Sequence, residues 1–255
     1  MIYAACGLFG LVIGSFLNVV IWRLPRRESL SHPGSHCPAC GAAVRPCDNV
    51  PVVSWLMLRG RCRDCAAPIA IRYPVVEALT CVLFLAAAHR FGAHAEVADY
   101  CVFFAVLVAI SGIDIDHHLV PSRIVYPAAG ATALLLLVAS GADGAWRPMA
   151  DAAIGGAIGF GVLFVIHFIA PRGMGFGDVR LAGLIGLNVG WLGVAHVPVA
   201  LFTGFLVGAV FGVVLIATGR AGRRSRVPFA PFLAAGAVVA SLWGTTIVHW
   251  WLGGT

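Results

Sequence analysis

VADYCVFFAVLVAISGIDIDHHLVP, residues 97–121, decides the fold class of this chain. Val97–Ile113 is long and apolar enough to cross a bilayer as a helix, and it runs straight into Asp114. Asp116, His117, His118 and Pro121 follow. A carboxylate at the edge of hydrocarbon is costly, so its default reading is function rather than packing. A second acid of this kind, Asp178, stands in GMGFGDVRL (173–181), 64 residues further on and also beside a chain bend.

The rest of the chain extends the same pattern. Of its 255 residues 60% are hydrophobic and 11% charged, and the mean hydropathy is +0.93, which excludes an ordinary soluble domain. The expected fold is an all-α polytopic membrane protein of about eight transmembrane helices with a small zinc-binding loop domain. Spans are predicted at Ile2–Ile21, Tyr73–His89, Val97–Ile113, Ser122–Ser140, Asp151–Ala170, Val179–Gly193, Val197–Ala217 and Pro228–Leu252. The first lacks a basic n-region and a small-residue cleavage site, so it reads as a retained helix rather than a removed signal. Glycines shorten and interrupt the sixth.

All 17 basic residues are arginines, and the spans distribute them unevenly. Fifteen fall on one side: eight between Arg23 and Arg72, then Arg123, Arg172, Arg180, Arg220, Arg223, Arg224 and Arg226. Arg90 and Arg147 fall on the other. The positive-inside rule makes the arginine-rich side cytoplasmic and leaves both termini outside. Basic loops so placed set topology and meet anionic membrane lipid, and they call for no nucleic-acid partner.

Three regions follow: 1–22, the first helix; 23–72, a cytoplasmic loop domain; and 73–255, the remaining bundle. The loop carries six prolines and two matched pairs, Cys37-x-x-Cys40 and Cys62-x-x-Cys65. Four thiolates so spaced close a tetrahedral structural zinc shell. A reducing cytoplasm argues against disulfides, and a loop of this size needs a metal staple in place of a core. Cys47 reads as a spare thiol, His32 and His36 as solvated side chains, and Cys6, Cys81 and Cys101 as small residues of the spans. The later glycines, including Gly204, Gly208 and Gly212, read as close helix packing.

Asp114 and Asp116 sit about 200° apart around a helix and cannot both face one site. Gly173, Gly175 and Gly177 give the chain before Asp178 room for close approach. Two carboxyls held together share a proton, so the pair can activate a water and then protonate a leaving group. That is aspartic-protease chemistry. Read singly, each acid could also be a helix cap or an interfacial charge. His117 and His118 point in different directions and read as interfacial polar groups.

These stretches together resemble the type IV prepilin peptidase family. GSFLNVVIWRLP (14–25) is similar to its first-helix signature, and CPAC…DNVPVVSWLMLRGRCRDC…IRYPVVEALT (37–80) to its zinc domain. IDIDHHLVP (113–121) and GFGDVRL (175–181) are similar to its two catalytic motifs, the second being the GxGD motif also found in presenilin-like proteases. The resemblance implies catalytic Asp114 and Asp178, and zinc on Cys37, Cys40, Cys62 and Cys65. It also implies an inner-membrane enzyme that removes the leader of prepilins or pseudopilins at the cytoplasmic face. The new N-terminus would then be methylated from S-adenosylmethionine, whose binding residues are not legible, since no glycine-rich nucleotide fingerprint is present. Two positions depart from the family pattern. Ser122 follows Pro121 where an acid or amide is frequent, and Arg180 replaces the usual Lys. A rival reading, a proton-coupled transporter relaying protons through Asp114 and Asp178, calls for midplane acids and repeated halves, and the sequence has no such repeat.

Overall fold

A computed structural model describes residues 1–171, 173–219 and 227–251, apart from the side chain of Asp143. Arg172 and the arginines at 220, 223, 224 and 226 therefore lie outside the described residues. Among the described residues the chain is helical, with two isolated antiparallel bridges and no strand. The helices are α1 (Ile2–Arg23), α2 (Val53–Met57), α3 (Arg72–Phe91), α4 (Glu96–His117), α5 (Ser122–Asp143), α6 (Arg147–Ile169), α7 (Phe176–Trp191), α8 (His196–Ala217) and α9 (Ala230–Trp251). All but α2 and α7 are long and apolar enough to cross a membrane, which makes seven such helices where about eight were expected. The eighth expected span corresponds to α7, which is shorter than the others. Its 16 residues reach only about 24 Å, against a hydrocarbon core of about 30 Å. It is bounded by the extended Gly175 and by Gly193 at φ +124°, so glycines set both ends.

The chain divides into two compact units, Met1–Ala93 and His94–Thr255. In the first, α1 and α3 pack antiparallel through Gly10 and Gly14. A Cβ on either would lie 2.7 Å from the Cα of Cys81 or Glu77, so only glycine permits this approach. Polar side chains buried near the ends of these helices tie down the loop between them. Asn18 donates to the carbonyl of Tyr73 at 3.1 Å, and Arg23 to those of Ser29 at 2.9 Å and Pro33 at 2.6 Å.

In the second unit α4 is the most enclosed of the helices long enough to span a membrane. Tyr100, Phe103 and Phe104 are sealed within it edge to edge, and the Tyr100 hydroxyl donates to the carbonyl of Asn188 in α7 at 2.9 Å. The unit also contains two glycine-seamed helix pairs. Gly155 and Gly159 of α6 meet Gly186 and Ala182 of α7 backbone to backbone, and Gly236 of α9 does the same with Ala200 and Gly204 of α8. Gly204 and Gly208 thus serve packing as expected, whereas a Cβ on Gly212 would meet nothing within 4 Å.

Candidate active site and metal cluster

Asp114 closes α4. Beyond it His118 takes a left-handed conformation (φ +49°) and its N–H caps the Asp114 carbonyl at 2.9 Å, while Pro121 stays extended and starts α5. Asp114 is buried, 5% exposed, and its Oδ2 accepts from the backbone N–H of Ala230 at 3.0 Å. Ala230 is the first residue of α9, so one of that helix's unpaired N-terminal donors is spent on the acid. This partner is 116 residues away in the chain and is not among the residues the motifs single out. Pro228 and Pro231 bracketing a helix start were the available signal.

Asp178 lies in the first turn of α7 rather than before its helix, and it is 9% exposed. Its carboxyl folds back toward Gly175, where a Cβ would come 3.4 Å from Oδ2. An acid in the first turn also suits the positive end of the helix dipole, so a helix-end role and a candidate acid role do not compete at Asp178. Gly177 brings this turn against the 118–121 segment. A Cβ there would lie 2.7 Å from Val120 Cβ. The two elements therefore meet beside both acids, and the carboxyls of Asp114 and Asp178 are within reach of each other's charge. Asp116 is exposed, whereas Asp114 is buried. Asp99 is also buried in α4, but 15 residues, or about 22 Å of helix, separate it from Asp114.

In the first unit, one Sγ from each of Cys37, Cys40, Cys62 and Cys65 lies within 4.8 Å of the others, and Cys37 Sγ is 3.8 Å from Cys65 Sγ. Zinc–sulfur bonds of about 2.3 Å at tetrahedral angles require sulfurs about 3.8 Å apart, so the cluster fits zinc. Each pair folds into the same knuckle. The N–H of Cys37 bonds to the Ala42 carbonyl and that of Cys62 to Ala67, and each knuckle turns through a left-handed residue, Gly41 (φ +73°) or Ala66 (φ +58°). This is a repeat of backbone that the side chains conceal. Backbone N–H groups of Cys40 and Ala39 hold the Cys37 thiol down at about 6. At Cys65 the Ala67 N–H acts in the same direction, but the thiols of Cys40, Cys62 and Cys37 outweigh it and push that group up to about 12. Sulfurs that compete for protons in this way need a cation to become thiolates together. Cys47 stands outside the cluster, beside Asp48.

Two family descriptions match the chain in succession. Residues 8–91 match the bacterial peptidase A24 N-terminal domain, nearly coincident with the first compact unit, and residues 101–213 match the type IV leader peptidase family. The chain belongs to the type IV leader peptidase family. It is 35% identical to the prepilin leader peptidase/N-methyltransferase of Aeromonas salmonicida (strain A449), over 96% of this chain and 92% of that protein. The Bacillus subtilis (strain 168) protein of the same name is 35% identical over 96% of both, and that of Pseudomonas aeruginosa is 34% identical over 96% of this chain and 91% of its own length. No solved structure matches. Nothing in these comparisons supports the transporter reading.

Within this leader peptidase the two departures from the family pattern are partners. Arg180 Nη1 donates to Ser122 Oγ, and the guanidinium lies 5.4 Å from the Phe176 ring and 5.7 Å from the Tyr126 ring. Ser122 opens α5 and Arg180 follows Asp178 by two residues, so the contact ties the turn after Asp114 to the start of α7. Each substitution looks isolated in sequence. In space they are one change.

Proposed function

We propose that this protein is a membrane aspartic endopeptidase that removes the leader peptide of type IV prepilins or pseudopilins. It then N-methylates the exposed N-terminus with S-adenosylmethionine as donor. The observation that supports the peptidase reading is the pair of buried carboxyls, Asp114 and Asp178, carried by separate helices and within electrostatic reach of each other. In the reaction one carboxyl is ionised and the other holds a proton. The ionised one takes a proton from a water molecule as that water attacks the scissile carbonyl, while the other donates to the carbonyl oxygen. Collapse of the tetrahedral intermediate returns a proton to the leaving amine and restores the pair. The Ala230 N–H holds the Asp114 carboxyl in place.

The zinc cluster has a structural role in this scheme. Cys37, Cys40, Cys62 and Cys65 would hold the ion, which when bound cross-links the two knuckles of the 23–72 domain. Among the described residues there is no strand leading into a glycine-rich turn and helix, so methyl-donor binding is assigned to no side chain here. The arginine asymmetry supports a cytoplasmic position for the 23–72 domain and the acids, testable by labelling of introduced loop cysteines. The deciding experiment is mass spectrometry of a co-expressed prepilin, which reads leader loss and N-methylation together. Cleavage should vanish with Asp114→Asn or Asp178→Asn in well-inserted protein. Normal cleavage by either variant would remove the pair from the mechanism.

A further inference from the structure

The amphipathicity of α2 is inverted for a helix that faces water. Val53, Leu56 and Met57 occupy one face at i, i+3 and i+4, and Leu56 and Met57 are 62% and 77% exposed. Val50, just before the helix, is exposed alongside them. The inward face is the polar one. Ser54 is buried, donating to the Cys47 carbonyl and accepting from the Val50 N–H at 3.0 Å each, and the Trp55 indole donates to the Ile69 carbonyl at 3.1 Å. A loop helix in water would bury the opposite face.

The depth at which this segment is held gives the reason. The Val52 N–H bonds to Glu77 Oε2 at 2.7 Å, and Val52 adopts a left-handed conformation (φ +61°) there. Glu77 lies four residues, about 6 Å, further into α3 than Tyr73. Tyr73 and Trp22, both largely exposed near the adjoining ends of α3 and α1, are aromatics of the kind that mark a membrane–water boundary. Arg26 stacks on Trp22 with its guanidinium 3.7 Å from the ring centroid. The segment is therefore tied to α3 inward of that boundary.

Charge points the same way. Residues 23–72 carry eight arginines against Glu28, Asp48 and Asp64. Two of those acids are already paired, Asp48 with Arg63 and Asp64 with Arg45, while Arg26, Arg27, Arg59 and Arg61 are exposed. Exposed arginines on the same loop domain as an outward apolar stripe match an anionic leaflet.

We propose that the segment from Val50 to Leu58 is a membrane anchor of the loop domain. It seats Val53, Leu56 and Met57 among the acyl chains of the leaflet where α1 ends and α3 begins. The domain would thus be held at the bilayer by three attachments, two spanning helices and one dipping helix. This rests on α1 and α3 being membrane spans, and not on the peptidase reading.

The test uses full-length zinc-loaded protein in phosphatidylcholine–phosphatidylglycerol vesicles, with Cys6, Cys47, Cys81 and Cys101 replaced by Ser. A bimane fluorophore is attached to Met57→Cys, and in parallel to Ala43→Cys on the exposed knuckle as a water-facing reference. Lipids brominated along the acyl chain should quench the label at 57 about threefold or more above that at 43, and aqueous iodide should rank them in reverse. Equal iodide quenching at both sites, without bromolipid quenching at 57, would overturn the proposal. Shielding of 57 from both quenchers would also overturn it, because a protein surface, a second copy included, would then cover the stripe. Val53→Cys gives the same readout should the variant at 57 fold poorly.

Discussion

Gly177→Ala isolates the geometry of the proposed dyad without touching either acid. The added Cβ would lie 2.7 Å from Val120 Cβ, while ordinary contact begins at 3.4 Å, so the first turn of α7 and the 118–121 segment must part by about 0.7 Å. Val120 is buried and its Cβ is fixed to the backbone, so no side-chain rotation relieves the overlap. The displaced turn carries Asp178, and the segment opposite follows directly from Asp114. Misplacement of reacting groups by about 1 Å costs about 100-fold in rate, which scales to about 25-fold, or ~2 kcal/mol of barrier, for this shift. The assay is the initial rate of leader removal from purified prepilin in proteoliposomes. Gly161→Ala in α6 is the control, because a Cβ there meets nothing within 4 Å and it should cleave at the native rate. Adding Val120→Gly to Gly177→Ala removes the atom that is struck and should recover much of the loss, measured against Val120→Gly alone. A Gly177→Ala enzyme within about twofold of native would refute the reasoning, since the barrier change would then be under ~0.5 kcal/mol.

If Asp114 and Asp178 act as one unit, the double Asn variant should be no slower than either single one, whereas Asp116→Asn should keep substantial activity; prepilin cleavage measures both. Purified protein should carry one zinc per chain by elemental analysis, and Cys→Ser at any of the four positions should lower that content while the spanning helices remain inserted. Zinc retention should fall with acidity, because protons compete with the ion for the four thiolates and a protonated thiol is no ligand; metal content after dialysis at decreasing pH reads this, and retention that rises with acidity would contradict it. Ala66 takes the left-handed role that Gly41 plays in the matching knuckle, so Ala66→Gly should relieve ~0.5–1 kcal/mol of backbone strain and slow zinc transfer to a chelator about threefold.

Much of this protein was readable from residue order because the bilayer imposes a one-dimensional rule. A spanning segment must satisfy its backbone within itself, so apolar length alone locates α1, α3, α4, α5, α6, α8 and α9. The spacing of the four cysteines likewise anticipated a cluster able to hold a metal ion, because two short turns present their sulfurs whatever lies between them. The helical period separated Asp114 from Asp116 before any packing was known. Tertiary structure decided what depends on distant segments meeting. The Ala230 N–H reaches Asp114 across 116 residues, Gly177 presses against Val120, and Arg180 and Ser122 become one contact. It also decided which glycines are seams: Gly155, Gly186 and Gly236 touch backbone, while Gly161 and Gly212 touch nothing. In hydrocarbon a glycine has no intrinsic preference for a partner over lipid. Its missing side chain acquires meaning only when another helix fills the space.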